Sequence, residues 1–247
     1  VVDDGSTDNT LELIDSRSED NRLRYIKTVQ MGANVARNIG IAQARADWIA
    51  FLDSDDLWEK NRLEVLAQHI REAEELKCYI TDSRRINGEK SVVKSKYIQS
   101  ELLDQYLLSF GTLGGTINLV APRQFLEDIE GFDVRLDSCQ DIDVFYWLLR
   151  RFPLKYISGV YALYDLKSDQ RITKRSVQKL KGLRSFYDKH RQDMSLLAQC
   201  MARKKIFVFA LRFKRWGLVL ANLPYALAIK GLKSMFDQTE DHDLFLI

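Results

Sequence analysis

The sequence predicts an α/β protein, a mostly parallel sheet flanked by helices and followed by a C-terminal helical extension. Over the first sixty residues, short apolar runs alternate with segments of helical spacing, the pattern of a parallel sheet joined by right-handed crossovers. The run from Trp48 to Leu52 is mostly apolar and stops at three carboxylates, Asp53, Asp55 and Asp56, as a buried parallel strand stops at the ligand-binding rim of an open sheet. From Ile172 onward the chain becomes helical and basic.

With 247 residues, 46% of them hydrophobic, the chain can build one sizeable core plus an appended region. A net charge of +2 offers no general case for a nucleic-acid partner. Three cysteines, Cys78, Cys139 and Cys200, odd in number and far apart, read as reduced thiols in a cytoplasmic setting, and three scattered histidines make no zinc site. The first residues, Val1-Val2-Asp3-Asp4, read as the end of a strand with neither an initiator Met nor a signal peptide, so a preceding strand and helix of the same sheet are expected to be missing.

In order, VVDDGSTDNT places Asp3 and Asp4 at a strand end, with Gly5 for a tight turn and Ser6, Thr7 and Asp8 as helix caps. Leu11 and Ile14 give a short helix its apolar side, residues 22–28 read as a strand, and Val35, Ile39 and Ala42 recur at helical spacing on a segment that also carries Arg37 and Asn38. Residues 58–77 are expected to form an amphipathic helix with Leu63, Leu66, Ile70 and Ala73 inside and its charges in solvent. Asn87-Gly88 is a hairpin signal, residues 111–115 a loop, INLVA a buried strand, and Pro122 the first residue of a helix. In GFDVRLDSCQDIDVFYWLLRR, Asp141 and Asp143 open a helix whose Val144, Trp147 and Leu148 face inward. Acids in a first turn are also what the helix dipole favours, so neither is marked as functional on its own.

Carboxylates at a strand end need compensation, which a bound cation and its phosphate supply, so Asp53 and Asp55 read as an Asp-x-Asp metal and nucleotide site. Together VVDDGSTD, the ARN of GANVARN, FLDSDD and GFD…QDID resemble, in order and spacing, the family-2 glycosyltransferases, inverting nucleotide-sugar enzymes with a Rossmann-like GT-A fold. The resemblance covers roughly residues 1–165, which it implies are the catalytic domain, with 166–247 as the extension. It implies that Asp3 and Asp4 reach nucleobase and ribose, that Arg37 contacts the nucleotide, that Asp53 meets ribose and Asp55 holds Mn²⁺ or Mg²⁺ on the diphosphate, and that Asp141 is the catalytic base. Asp56 is left with a structural role, capping the helix expected at Leu57 and Trp58. The implied reaction transfers a sugar, by family habit from a UDP-sugar, to a hydroxyl of a glycan or lipid-linked acceptor in cell-surface polysaccharide synthesis.

A lone base facing the donor implies inversion at the anomeric carbon, since double displacement needs a nucleophile that the sequence does not offer. Gln140 stands where many members have Glu. The stretch QRITKR does not match the Gln-x-x-Arg-Trp element of processive synthases, so single additions are expected. Two rivals are a haloacid-dehalogenase-like phosphatase, which wants Thr or Val where Leu57 stands, and a catalytically silent nucleotide-sugar-binding scaffold. A glycoside hydrolase would use two facing carboxylates without a metal.

In the extension, Val177, Leu180, Leu183 and Phe186 share one helix face and are expected to pack on the catalytic domain. Residues 202–236 mix aromatic and aliphatic residues with Lys and Arg, and their longest apolar run, interrupted by Asn222 and Pro224, is shorter than the roughly 20 residues a membrane span needs. The expectation is an enzyme peripheral on the inner face of the cytoplasmic membrane, with ordinary helical packing or an oligomer contact as the other uses of this tail.

Overall fold

The structure is a computed structural model that describes residues 1–87, 90–94, 103–109, 113–165 and 176–236. The hairpin tip at Gly88, residues 111–112 of the expected loop and residues 166–175 lie outside that set. Strands β1 (Val2–Asp3) and β2 (Ile26–Lys27) pair in parallel, with α1 (Thr10–Asp15) in the crossover. The main sheet runs in the order β3–β7–β5–β8–β4, with β6 paired to β5. Its strands are β3 (Trp48–Ala50), β4 (Asp56–Trp58), β5 (Cys78–Asn87), β6 (Lys90–Lys94), β7 (Leu119–Pro122) and β8 (Leu154–Asp165). The helices are α2 (Ala33–Gln43), α3 (Arg62–Arg71), α4 (Leu103–Leu108), α5 (Arg123–Asp128), α6 (Gln140–Arg151), α7 (Ser176–His190), α8 (Leu196–Arg212) and α9 (Trp216–Phe236).

The α/β class stands, but the sheet is mixed rather than mostly parallel. Only β5 and β8 run parallel in it, while β3, β4 and β6 pair antiparallel with their neighbours. The apolar run at β3 has a different origin from the expected parallel strand. Ile49 packs on the large core, Trp48 and Ala50 pack on a second cluster with Leu66, Tyr79, Val120 and Ile157, and both faces are therefore apolar whatever the strand direction. The same alternation places Cys78 and Ile80 in the large core and Tyr79 in the small one, so α3 covers one face and α4 to α8 the other. The hairpin is as expected, with Asn87 opposite Lys90.

Strands β3 and β4 occupy opposite ends of this order, yet residues 51–55 alone connect them. Four interstrand spacings of a flat sheet amount to about 19 Å, and the six steps from Ala50 to Asp56 reach at most about 20 Å fully extended. The backbone N–H of Asp56 donates to the Asp53 carbonyl at 3.1 Å, a tight turn that consumes part of that reach. The sheet must therefore curl, and the turn that closes the curl is the acidic one.

Several local readings shift. Residues 56–58 are a strand, so Asp56 caps no helix, and α3 starts at Arg62. Leu63 is 57% exposed while Arg62 is fully buried, its Nη1 donating to Thr81 Oγ1 and its Nη2 to the Ile117 carbonyl, both at 2.7 Å, with its guanidinium over Trp58. On α2 the buried residues are Asn34 and Ile41, and Ala42 is exposed. Helix α1 buries nothing, and Pro122 ends β7 instead of starting α5. Leu180, Leu183 and Phe186 join the large core as expected, whereas Val177 points outward; Ala202, Ile206 and Ala210 of α8, in the stretch expected to lie on a membrane, also pack in this core. All three cysteines are free thiols. Among the described residues no helix is long and apolar enough to cross a membrane.

Burial holds the Arg62 guanidinium down at about 10, and its Nε has no hydrogen-bond partner among the described residues. Arg62→Ala would vacate this space and orphan two buried acceptors, so urea denaturation should show a loss of about 2–4 kcal/mol.

Candidate active site

The turn that closes the sheet gathers three acids, and one carboxylate oxygen each from Asp53, Asp55 and Asp56 lies within 4.8 Å of the others. Asp56, fixed on β4, is buried; Asp55 is exposed at the tip; Asp53 is half-exposed. Such an oxygen-rich set suits a hard divalent cation. Like charges this close are costly unless balanced, and part of the balance comes from α2, where Arg37 Nη2 reaches both oxygens of Asp53 at 2.8 and 2.9 Å. Arg37 stacks over the Phe132 ring, which meets Phe51 edge-on at 5.4 Å, so one aromatic ties the acid turn to the loop before α6. Arg37 Nε and Nη1 are buried with no hydrogen-bond partner among the described residues, leaving donor capacity for an anion beside the acids.

Asp3 faces inward, whereas Asp4 is half-buried. Asp3, nearly fully buried, accepts from the Ser6 N–H at 2.7 Å and from the Tyr25 hydroxyl. The Ser6 and Tyr25 bonds hold its carboxyl down at about 2, and the hydrogen bond to Asp3 in turn pushes Tyr25 up to about 12. Asp4 accepts from the N–H groups of Met31 and Gly32 at 2.7 and 2.8 Å, fixing the turn from which α2 presents Arg37. Carboxylate oxygens accept more than one bond, so these anchors leave lone pairs for a ligand.

Asp141 opens α6 after an irregular segment that α2 and α7 grip from two sides. From α2, Asn34 Nδ2 donates to the carbonyls of Asp133 and Leu136 at 2.9 and 3.0 Å, and Asn38 exchanges two bonds of 2.8 Å with the backbone of Phe132. From α7, Ser138 Oγ donates to the Lys179 carbonyl at 3.3 Å, Lys181 pairs with Asp137 at 2.7 Å, and Lys189 bridges Asp133 and Asp143 at 2.8 and 2.9 Å. Buried His190 meets the other oxygen of buried Asp143 at 2.6 Å. Asp143 is thus the structural member of the helix-opening pair, latched to α7. Cys139, just before the helix, holds φ 69°, a left-handed conformation that a non-glycine residue adopts only where its surroundings enforce it.

Burial raises the Asp141 carboxyl above its ordinary value, against the opposing pull of its bond from the Ile142 N–H and of the charges on Arg37 and Lys179. Burial also pushes the Cys139 thiol up to about 12 and lowers the Lys205 ammonium of α8, which lies within electrostatic range of Asp141 and Cys139. A carboxyl tuned upward within electrostatic range of Arg37 is suited to accept a proton.

The sequence pointed to the acids and Arg37 and named Asn38 without a role, but Asn34 was missed, although its i,i+4 spacing from Asn38 was a readable signal of one shared face. Also missed were Gly182, Lys189 and His190, which carry no local signal.

Residues 1–158 match the family model described as Glycosyl transferase family 2. A glycosyltransferase of Rickettsia felis, itself uncharacterized, is 33% identical over 156 residues, 58% of this chain and 24% of that protein. The chondroitin synthase of Escherichia coli is 26% identical over 161 residues, 65% of this chain and 23% of that protein. The chain thus spans about a quarter of the length of these relatives. Among solved structures, S. aureus TarS in complex with UDP-GlcNAc aligns with TM-score 0.59 at 19% identity, covering 85% of this chain and 71% of that one. The mannosyltransferase PcManGT of Pyrobaculum calidifontis, in complex with GDP-Man and Mn²⁺, aligns with TM-score 0.56 at 14% identity, covering 96% of this chain and 70% of that one. These likenesses show the GT-A fold.

A Cβ on Gly182 would lie 2.1 Å from Ser138 Oγ and 2.6 Å from its backbone nitrogen, whereas one on Gly217 meets nothing within 4 Å. Gly182→Ala should therefore cost about 1–3 kcal/mol in denaturant unfolding, while Gly217→Ala, near the start of α9, should be neutral or stabilising.

Proposed function

The chain belongs to glycosyl transferase family 2, and on that premise we propose a metal-dependent inverting transferase that moves a sugar from a nucleotide-sugar, a UDP-sugar by preference, to a hydroxyl of a glycan or lipid-linked acceptor in cell-surface polysaccharide synthesis. The observation that carries this reading is the position of Arg37, bonded to Asp53 in the acid turn and within electrostatic range of Asp141. Residues 1–165 act as the catalytic domain and 166–247 as the extension.

Asp55, with Asp53 and Asp56 beside it, would hold Mn²⁺ or Mg²⁺, and the carboxylate cluster fits either ion. When bound, the ion supplies positive charge against the charge that develops on the departing diphosphate. Asp53 faces the ribose, the spare N–H groups of Arg37 meet the nucleotide, and Asp3 and Asp4 serve the nucleobase side. Asp141 takes the proton from the acceptor hydroxyl as its oxygen attacks the anomeric carbon from the face opposite the leaving group, giving inversion. The UDP-GlcNAc complex of TarS supports a uridine donor, the Mn²⁺ complex of PcManGT supports the metal, and the chondroitin synthase supports a glycan acceptor. The site of action is the inner face of the cytoplasmic membrane, where lipid-linked acceptors lie.

UDP titrated into the intact protein should bind in a Mn²⁺-dependent manner. Asp55→Ala should weaken binding at least tenfold, Asp141→Asn should spare it, and transfer should fall by about 10²–10⁴-fold in Asp141→Asn. Metal-independent binding, or full transfer by Asp141→Asn, overturns the reading. Because the raised carboxyl must lose its proton to act, the acid limb of kcat/KM should lie above the ordinary Asp value of about 3.9. The same raised pKa means that the charged form is penalised in the folded state, so stability is lost as pH rises through it, and Asp141→Asn should raise Tm at neutral pH.

A further inference from the structure

We propose that the outer face of α9, with the corner that precedes it, is a docking surface for an anionic lipid bilayer, on which the protein lies with α9 parallel to the membrane plane. Helix α9 is two-sided. Val219 and Asn222 are buried, and Asn222 Oδ1 accepts from Arg203 of α8, whose guanidinium sits 3.9 Å over the Tyr225 ring. Residues 218, 219, 222 and 225 thus define the side that faces α8. On the opposite side Trp216, Leu220, Leu223 and Leu227, spaced i, i+4, i+7 and i+11, are 61%, 69%, 37% and 59% exposed. A Trp and three Leu on one unbroken stripe are far more than the scattered apolar residues of an ordinary surface.

Charge decides what covers the stripe. From Met194 to Phe236 the sequence holds eight Lys and Arg and no Asp or Glu. Arg212, Lys214 and Arg215 are exposed at the α8–α9 corner, beside Trp216 at the start of the stripe. A second copy of this chain seated there would bring like charges together, whereas phosphate-bearing headgroups complement them, each cation contributing about 1 kcal/mol near an anionic leaflet. Helix α9 does not qualify as a span, so it lies on the surface with its apolar stripe in the headgroup boundary. This placement deepens the proposed action at a lipid-linked acceptor.

Removing residues 200–247 would strip Ala202, Ile206 and Ala210 from the core, so point variants are the sound test. The intact protein should co-sediment with phosphatidylglycerol/phosphatidylcholine vesicles and remain in the supernatant with pure phosphatidylcholine. Leu220→Glu/Leu227→Glu and Arg212→Glu/Arg215→Glu should each weaken binding by about tenfold or more. All four side chains are exposed, so circular-dichroism melts should match the parent. Three outcomes overturn the proposal: equal pelleting with neutral and anionic vesicles, unchanged pelleting of Leu220→Glu/Leu227→Glu, or a concentration-dependent dimer in sedimentation velocity that this variant abolishes, which makes a second copy the occupant. Vesicle binding is read without donor or acceptor, so its failure leaves the transferase reading standing, and the reverse.

Discussion

Hydrogen bonds from side chains of α2 to the backbone of residues 132–136, together with the contacts that α7 makes to the side chains of Asp133, Asp137 and Ser138, hold the part of the molecule on which the candidate site depends. That segment has no strand partner, and its polar backbone would be costly to bury unsatisfied. Asn34 and Asn38 act as surrogate backbone, Asn38 through a reciprocal pair of bonds to Phe132. Close approach is possible because glycine stands at both contacts: a Cβ on Gly131 would lie 2.5 Å from Asn38 Oδ1, and one on Gly182 would lie 2.1 Å from Ser138 Oγ. The left-handed backbone at Cys139, which aims α6 and Asp141, persists because both sides of the loop are fixed.

The latch at Asp143 is costly to assemble and specific once assembled. Its two oxygens are shared between Lys189 and His190, with Asp133 on the far side of the lysine. A buried carboxylate so surrounded gains little net stability over an apolar pair, but losing one partner strands the other, so the network favours a single register of α7 against α6. The acid turn works from the opposite premise. Its carboxylates are gathered by the curl of the sheet, and Arg37, bonded to both oxygens of Asp53, supplies part of the positive charge that offsets their mutual repulsion.

Local chemistry was legible in the sequence because it lies in short stretches. The strand that leads to Asp53 and Asp55, the helix bearing Arg37 and the helix opened by Asp141 were all read from contiguous residues. Strand direction was not, since an apolar run at Trp48–Ala50 records two apolar neighbours and says nothing about polarity. Asp56 was misread because β4 is a three-residue strand defined wholly by its pairing with β8, and three residues carry no periodicity. Arg62 violated the expectation of an outward charge because Thr81 and the Ile117 carbonyl, distant in sequence, were waiting for it. The grip of α7 was invisible for the same reason: its contacts span forty or more positions.

The family match ends at residue 158, whereas the contacts that steady the loop before α6 come from residues 179–190. The recognisable module is therefore not a mechanically closed one. A chimera that joined residues 1–158 to the extension of another family member would carry every acid of the site yet leave Ser138, Asp137 and Asp143 without their counterparts. Exchange of residues 1–158 between such proteins has to carry residues 179–190 along with them.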